Sequence, residues 1–243
     1  MRITLINPNT SRAMTDKIGR AAREVAGPDV ELAAVCPDPG RGPEAVESHV
    51  DEAYAAVAVI EAIRADLAAG GSDGYVIACF GDPGLDAARE LVDVPVIGIA
   101  EAAMHVAALA GRSFGIVTTL SRTLGRARDL LARYEYERAC VAAYGSGIPV
   151  LDLEDAGSAA FAEILAWCER AVGEDGADAI VLGCAGMADL CHRLEERVGV
   201  PVVDGVAAAV GLVTAMARMG VGVSKRDEYA APAARDLRDT WRR

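Results

Sequence analysis

No apolar run in the 243 residues reaches the ~18 needed to span a bilayer, so no membrane segment is expected. The opening Met1–Asn9 has no long apolar region and no small-residue cleavage site, so it does not read as a secretion signal and a cytoplasmic protein is expected. Basic residues are scarce: 24 Lys and Arg stand against 36 Asp and Glu, a net charge of −12. Such a surface repels phosphates, so nucleic acid is not an expected partner. Neither a phosphate-binding Walker loop nor a GxGxxG occurs, which leaves nucleotide binding without support. No CxxC is present, and Cys191-His192 with Cys184 seven positions earlier is not a zinc spacing, so no metal is expected. The six cysteines, in a reducing cytoplasm, should be free thiols.

What is there is ample apolar material, 52% of the chain, enough for a real core. It falls into short strand-like runs at 2–6, 30–35, 74–78, 94–97, 113–117, 139–143, 179–182 and 200–203. Most show little alternation, as expected of strands covered on both faces. Amphipathic segments lie between them, among them 13–26, 50–69, 122–134, 156–172 and 206–218. Strand-then-helix alternation predicts an α/β fold with parallel sheets and right-handed crossovers. Ligands of such sheets bind beyond the carboxyl ends of the strands. Four strand-ending loops should therefore converge: Asn7–Ser11, Cys79–Gly84, Thr118–Ser121 and Gly183–Gly186. Pro232 interrupts a polar tail, 226–243, in which a short last helix is expected.

The chain also repeats itself, and a repeat changes the expected fold. Ser72-Asp73-Gly74-Tyr75-Val76-Ile77-Ala78-Cys79-Phe80-Gly81 parallels Ala177-Asp178-Ala179-Ile180-Val181-Leu182-Gly183-Cys184-Ala185-Gly186, the cysteines 105 positions apart. Val94-Pro95-Val96-Ile97 parallels Val200-Pro201-Val202-Val203 at 106, and each is followed by an Ala-rich helix, near Glu101 and near Gly205. The openings agree more weakly, Arg2–Asn7 with Arg112–Val117. Two pseudo-symmetric Rossmann-like halves are expected, residues 1–97 plus 205–225 and residues 98–204, with the site in the cleft between them.

That symmetry sets Cys79 and Cys184 across one small site. A lone cysteine is usually a small buried hydrophobe, which is how Cys36, Cys140, Cys168 and Cys191 are read. Two at equivalent strand ends, each ahead of an expected helix start, are expected to ionise more easily than a free thiol. A thiolate facing a thiol is a base facing an acid. One removes a proton from carbon on one face, the other returns one on the opposite face, and the stereocentre inverts. The enolate formed on the way needs donors, for which the backbone at Phe80, Gly81, Ala185 and Gly186 and the hydroxyls of Thr118, Thr119 and Ser11 are candidates.

Several motifs in order make the resemblance specific: Ile6-Asn7-Pro8-Asn9-Thr10-Ser11, Gly42-Pro43-Glu44, Glu47-Ser48, Ala78-Cys79-Phe80-Gly81-Asp82-Pro83-Gly84-Leu85, Val117-Thr118-Thr119, Gly183-Cys184-Ala185-Gly186-Met187 and Asp204-Gly205-Val206. Over roughly residues 1–225 the chain resembles the hydantoin and allantoin racemase family of the wider aspartate/glutamate racemase superfamily. The resemblance implies cofactor-free racemisation of a small cyclic ureide by a homo-oligomer. It puts the catalytic positions at Cys79 and Cys184. The substrate loops it implies carry Pro8, Asn9, Ser11, Phe80, Gly81, Thr118, Thr119, Ala185 and Gly186. The stretch 145–151, with Ile148, would border the side-chain pocket.

The converging loops carry no Arg or Lys apart from Arg12 and Arg122, both read as pointing away along their helices. That suits a neutral ureide better than an amino-acid zwitterion, with Asn9 bracketing its amide groups. Of the histidines, His105 reads as a core or surface residue, while His49, with Glu44 and Glu47, lies where a loop could close the cleft. A decarboxylase or cis–trans isomerase on the same scaffold is the alternative enzyme, and a non-catalytic small-molecule binder the alternative class. A decarboxylase generally needs one proton donor, so a cysteine pair favours racemisation.

Overall fold

The computed structural model describes residues 1–153 and 158–232. The tail helix expected beyond Pro232 lies outside them, as does the start of the helical segment expected from 156. The first half of the chain runs β1 (Arg2–Ile6), α1 (Arg12–Val25), β2 (Glu31–Val35), α2 (His49–Ala68), β3 (Gly74–Ile77), α3 (Leu85–Leu91), β4 (Val96–Gly98) and α4 (Ile99–Ala110). The second runs β5 (Phe114–Thr118), α5 (Leu124–Arg133), β6 (Cys140–Gly145), α6 (Ser158–Gly173), β7 (Ile180–Gly183), α7 (Cys191–Val198), β8 (Val202–Val203) and α8 (Gly205–Met219).

The strands form two four-stranded sheets, ordered β2-β1-β3-β4 and β6-β5-β7-β8. Every pairing is parallel. The two orders are the same order, so the repeat in the sequence is a repeat of topology. β1, β3, β5 and β7 hold the inner positions, and Ile3, Leu5, Val76, Ile116 and Val181 on them are fully buried. β4 and β8 start later than the apolar runs suggest. Pro95 and Pro201 lack the N–H a ladder needs, and they join it only as acceptors, from Tyr75 N–H at 3.0 Å and Ile180 N–H at 2.8 Å. The segment expected as one helix from 122 opens as a 3-10 turn, Ser121–Thr123, before α5. Two short helices, α3 and α7, follow the cysteine loops, where the sequence indicates helix starts without bounds; at seven and eight residues they are too brief to show periodicity.

α4 leaves the first sheet and packs on β7, while α8 leaves the second and packs on β3, and the two helices lie against each other. Phe114, Ile99, Val206 and Val210 share one buried cluster with Ile3 and Leu5. The division of the chain into residues 1–97 plus 205–225 and 98–204 is our proposal, and these crossed contacts support it. The described part of the tail returns to α3, where the Lys225 ammonium donates to the carbonyls of Arg89, Glu90 and Val92. Among the described residues no helix is long and apolar enough to cross a membrane.

The two crossing helices are capped in one way by different means. Asp204 stands just before α8 and accepts from the N–H groups of Val206 (2.9 Å) and Ala207 (3.0 Å). Its counterpart before α4, 106 positions earlier, is Gly98. The carboxylate there comes instead from Asp82, in the loop after β3, which accepts from Ala100 N–H at 3.0 Å and Glu101 N–H at 2.9 Å. The glycine is what makes room. A Cβ at Gly98 would sit 2.2 Å from Asp82 Cγ. Gly98→Ala is expected to expel the Asp82 carboxylate and lower stability by roughly 1–3 kcal/mol, the usual cost of overpacking. Urea unfolding of the variant with a midpoint like that of the parent would contradict this account.

Candidate active site

The parallel register brings the carboxyl ends of β1, β3, β5 and β7 side by side, pairing Ile6 with Ile77 and Thr118 with Gly183. The four loops that follow do converge. They line a cavity of about 210 Å³ with Asn7, Asn9, Cys79, Phe80, Gly81, Thr118, Thr119, Cys184 and Ala185. That is smaller than the roughly 300 Å³ at which drug-sized ligand pockets begin, so it suits a small ring. Cys79 and Cys184 both face this one cavity, and the charge of Cys184 acts on Cys79.

The thiols differ from expectation in two ways. A helix does not start directly after Cys79: a turn closed by Asp82 N–H on the Cys79 carbonyl (2.9 Å) comes first, and α3 begins only at Leu85. Cys184 itself caps a 3-10 turn, Ala185–Leu190. Nor are the thiols easily ionised. Burial pushes Cys79 up to about 12 and Cys184 up to about 11, because a thiolate loses its hydration there. The N–H groups of Gly81 and Gly186 oppose this by bonding the sulfurs, the second at 3.4 Å. These two backbone donors therefore serve the sulfurs.

Asn9 is held by its neighbours. Its Oδ1 accepts from Asn7 Nδ2 (2.8 Å) and Ser11 N–H (2.9 Å), and its Nδ2 lies 3.5 Å from the weak acceptor Met14 Sδ, which lines the cavity beside it. Thr118 spends its hydroxyl on Gly183 O at 2.9 Å. Thr119 lines the cavity, and its carbonyl accepts from Ser146 Oγ and Gly147 N–H. Pro8, Ser11, Ile148 and Gly186 do not line it. Pro8 is buried beside Gly42, and Ser11 caps α1 by accepting from Met14 N–H at 3.0 Å. Ile148 packs into the apolar cluster of Leu153 and Val117, and in its stretch Val150 is the residue that reaches the cavity.

The mouth is charged, and here the sequence reading needs correction. Arg12 does point outward, pairing with Asp38 at 2.9 Å. Arg122 does not; it lines the cavity, as does Arg126 one turn further along. Arg126 donates to the Gly81 carbonyl at 3.0 and 2.7 Å and pairs with Glu52 at 3.2 Å, which holds the Cys79 loop. His49 lines the mouth 3.6 Å from Glu52, and Glu44 is exposed outside it. Glu47 accepts from Val150 N–H at 2.8 Å, joining the two halves over the pocket. Asn7, Glu52 and Arg126 are therefore lining residues the sequence reading passed over, and Asp82 is a support of the Cys79 loop that it did not single out. The spacing of Arg126 from Arg122 and of Glu52 from His49, one helical turn each beside a strand-end loop, is the signal that could have found those two.

Asp82 is 3% exposed, at φ +46°, and accepts also from Tyr134 Oη at 2.8 Å. Burial raises its carboxyl to about 6, against the three donors that favour its charge. Among the described residues no three His, Cys, Asp or Glu side chains form a metal-holding group.

This geometry has relatives. The family model described as Asp/Glu/Hydantoin racemase matches residues 3–213. A hydantoin racemase of Rhizobium meliloti is 44% identical over 232 residues, 96% of this chain and 95% of that protein. An allantoin racemase structure from Klebsiella pneumoniae superposes with a TM-score of 0.93 at 51% identity, covering 97% of this chain and 95% of the other. One from Pseudomonas fluorescens gives 0.91 at 38%, covering 97% and 99%. Matched along nearly its whole length in sequence and in fold, the chain belongs to the Asp/Glu/Hydantoin racemase family and is a racemase.

Proposed function

We propose that this racemase acts on 5-substituted hydantoins or allantoin, without cofactor, by two-base proton transfer between Cys79 and Cys184. The observation that carries the reading is that two cysteines at equivalent strand ends of the two halves face one small cavity. The relatives named for hydantoin and allantoin support the substrate class. Six free thiols suit a cytoplasmic setting, and the family resemblance supports a homo-oligomer.

A thiolate on one face takes the proton from C5 of the ring. The bonding pair moves into the adjacent carbonyl as an enolate, and the opposite thiol gives its proton to C5 on the other face. The stereocentre is inverted and the two sulfurs have exchanged roles. Asn9 Nδ2 and the Thr119 hydroxyl are the donors for the ring oxygens, and Asn9 is preorganised by Asn7 and Ser11. The burial that makes the thiols weak acids also makes the thiolate, once formed, a strong base.

Replacing either cysteine by serine should abolish inversion, since a serine hydroxyl gives almost no alkoxide near neutral pH. The remaining cysteine can still exchange the proton on its own face. Cys79→Ser and Cys184→Ser are expected to exchange deuterium into opposite enantiomers, read by proton NMR in deuterium oxide. Full racemisation by either variant would sink the mechanism.

The pH profile tests the same pair. The active form carries one thiolate and one thiol. With both thiols raised by burial, its population grows as pH rises and stays far from saturation near neutrality. kcat/KM should climb between pH 7 and 9 by up to about tenfold per unit. A profile that is flat or falls over that range would contradict ionisation at these sulfurs.

A further inference from the structure

The two thiols sit in unlike electrostatic surroundings, and Lys17 is the reason. It projects from α1 with a side chain 8% exposed. Its ammonium donates across the boundary between the halves, to Leu153 O at 2.6 Å and Gly186 O at 3.2 Å, and lies 3.3 Å from Asp189. Two carbonyls need only neutral donors. A buried cation is a costly way to supply them, and Asp189, 52% exposed, is screened by water and neutralises it weakly. The positive charge is left behind Gly186, the residue whose N–H bonds Cys184 Sγ.

The other charges are placed differently. Facing Cys184 are Lys17, which favours its thiolate, and Glu47, which opposes it less strongly. Asp189, Cys191 and Asp204 lie behind the turn and act on one another. Facing Cys79 are Cys184 and the carboxylates of Asp82 and Glu52, all opposing its ionisation. Arg126 is already bound to Glu52 and Gly81, and Arg122 and His49 lie with it among the lining residues.

We propose that Lys17 is a positioning residue whose buried ammonium makes Cys184 the sulfur that ionises first, with Cys79 the thiol of the active pair. The proposal deepens the two-cysteine reading and rests on it. It gives the active form a hand: the enantiomer whose C5–H faces Cys184 meets the more populated thiolate, and its mirror image needs the less populated one.

Alkylation by iodoacetamide, followed at each cysteine by peptide mass spectrometry from pH 7.5 to 9.5, reads the thiolates without turnover. In the unaltered protein Cys184 is expected to react faster than Cys79 throughout. Lys17→Gln keeps N–H donors for the carbonyls and removes the charge. It should slow Cys184 about tenfold, the effect of one pK unit, and leave Cys79 within about twofold. Lys17→Arg should restore most of the Cys184 rate. Asp189→Asn, at a half-exposed position, removes the compensating carboxylate and should speed Cys184 roughly two- to threefold, which a mere structural clamp would not do. Faster reaction at Cys79 in the unaltered protein, or a Cys184 rate unmoved by the Asn variant, would overturn the proposal even if the Gln variant fails to fold. A protein that alkylates as expected yet racemises no ureide would overturn the functional reading alone.

Discussion

One carboxylate, Asp82, ties the chemistry to the fold. It sits in the loop that carries Cys79, caps the helix that crosses to the other sheet, and takes a hydrogen bond from Tyr134 at the end of α5. The loop, the crossing helix and the second half are fastened by three bonds to one buried group. Its counterpart Asp204 caps α8 from its own backbone position and carries no such duty. The symmetry of the sheets is therefore broken at the point where a reacting side chain must be held.

The same burial that allows this tie works against the thiols. A buried thiolate has lost its hydration, and two N–H donors from Gly81 and Gly186 return only part of it. Acid strength is given up for basicity. Part of the charge at the mouth is neutralised locally: Arg126 pairs with Glu52 and also holds the Gly81 carbonyl. The cavity wall next to the sulfurs is left to Asn9, the threonines and Phe80, which suits a neutral ring.

Much of this was legible in the residues. Eight apolar runs, spaced by amphipathic segments, become the eight strands in order, and β1 matches its run end to end. The 105-residue spacing of the cysteines becomes two equivalent strand ends on one cavity. Arg122, read as pointing outward, is among the pocket's lining residues, and it stands in the 3-10 turn Ser121–Thr123 before α5. Ile148, read as bordering the pocket, is half-buried against the apolar cluster of Leu153 and Val117, in a stretch, 146–150, that is irregular and has no period to read.

The sequence by itself determined what depends on near neighbours: strand and helix order, the parallel class, the loops at the strand ends and the paired cysteines. Local periodicity and an internal repeat are properties of the chain alone. Only the tertiary structure decided that α4 and α8 change sheets, that Asp82 replaces a missing cap at Gly98, and that Lys17 reaches from α1 to Gly186, 169 positions away. Each of these sets a charge or a carbonyl against a partner distant in sequence. Such pairings leave no local pattern, because they arise only when two separately patterned halves are packed face to face.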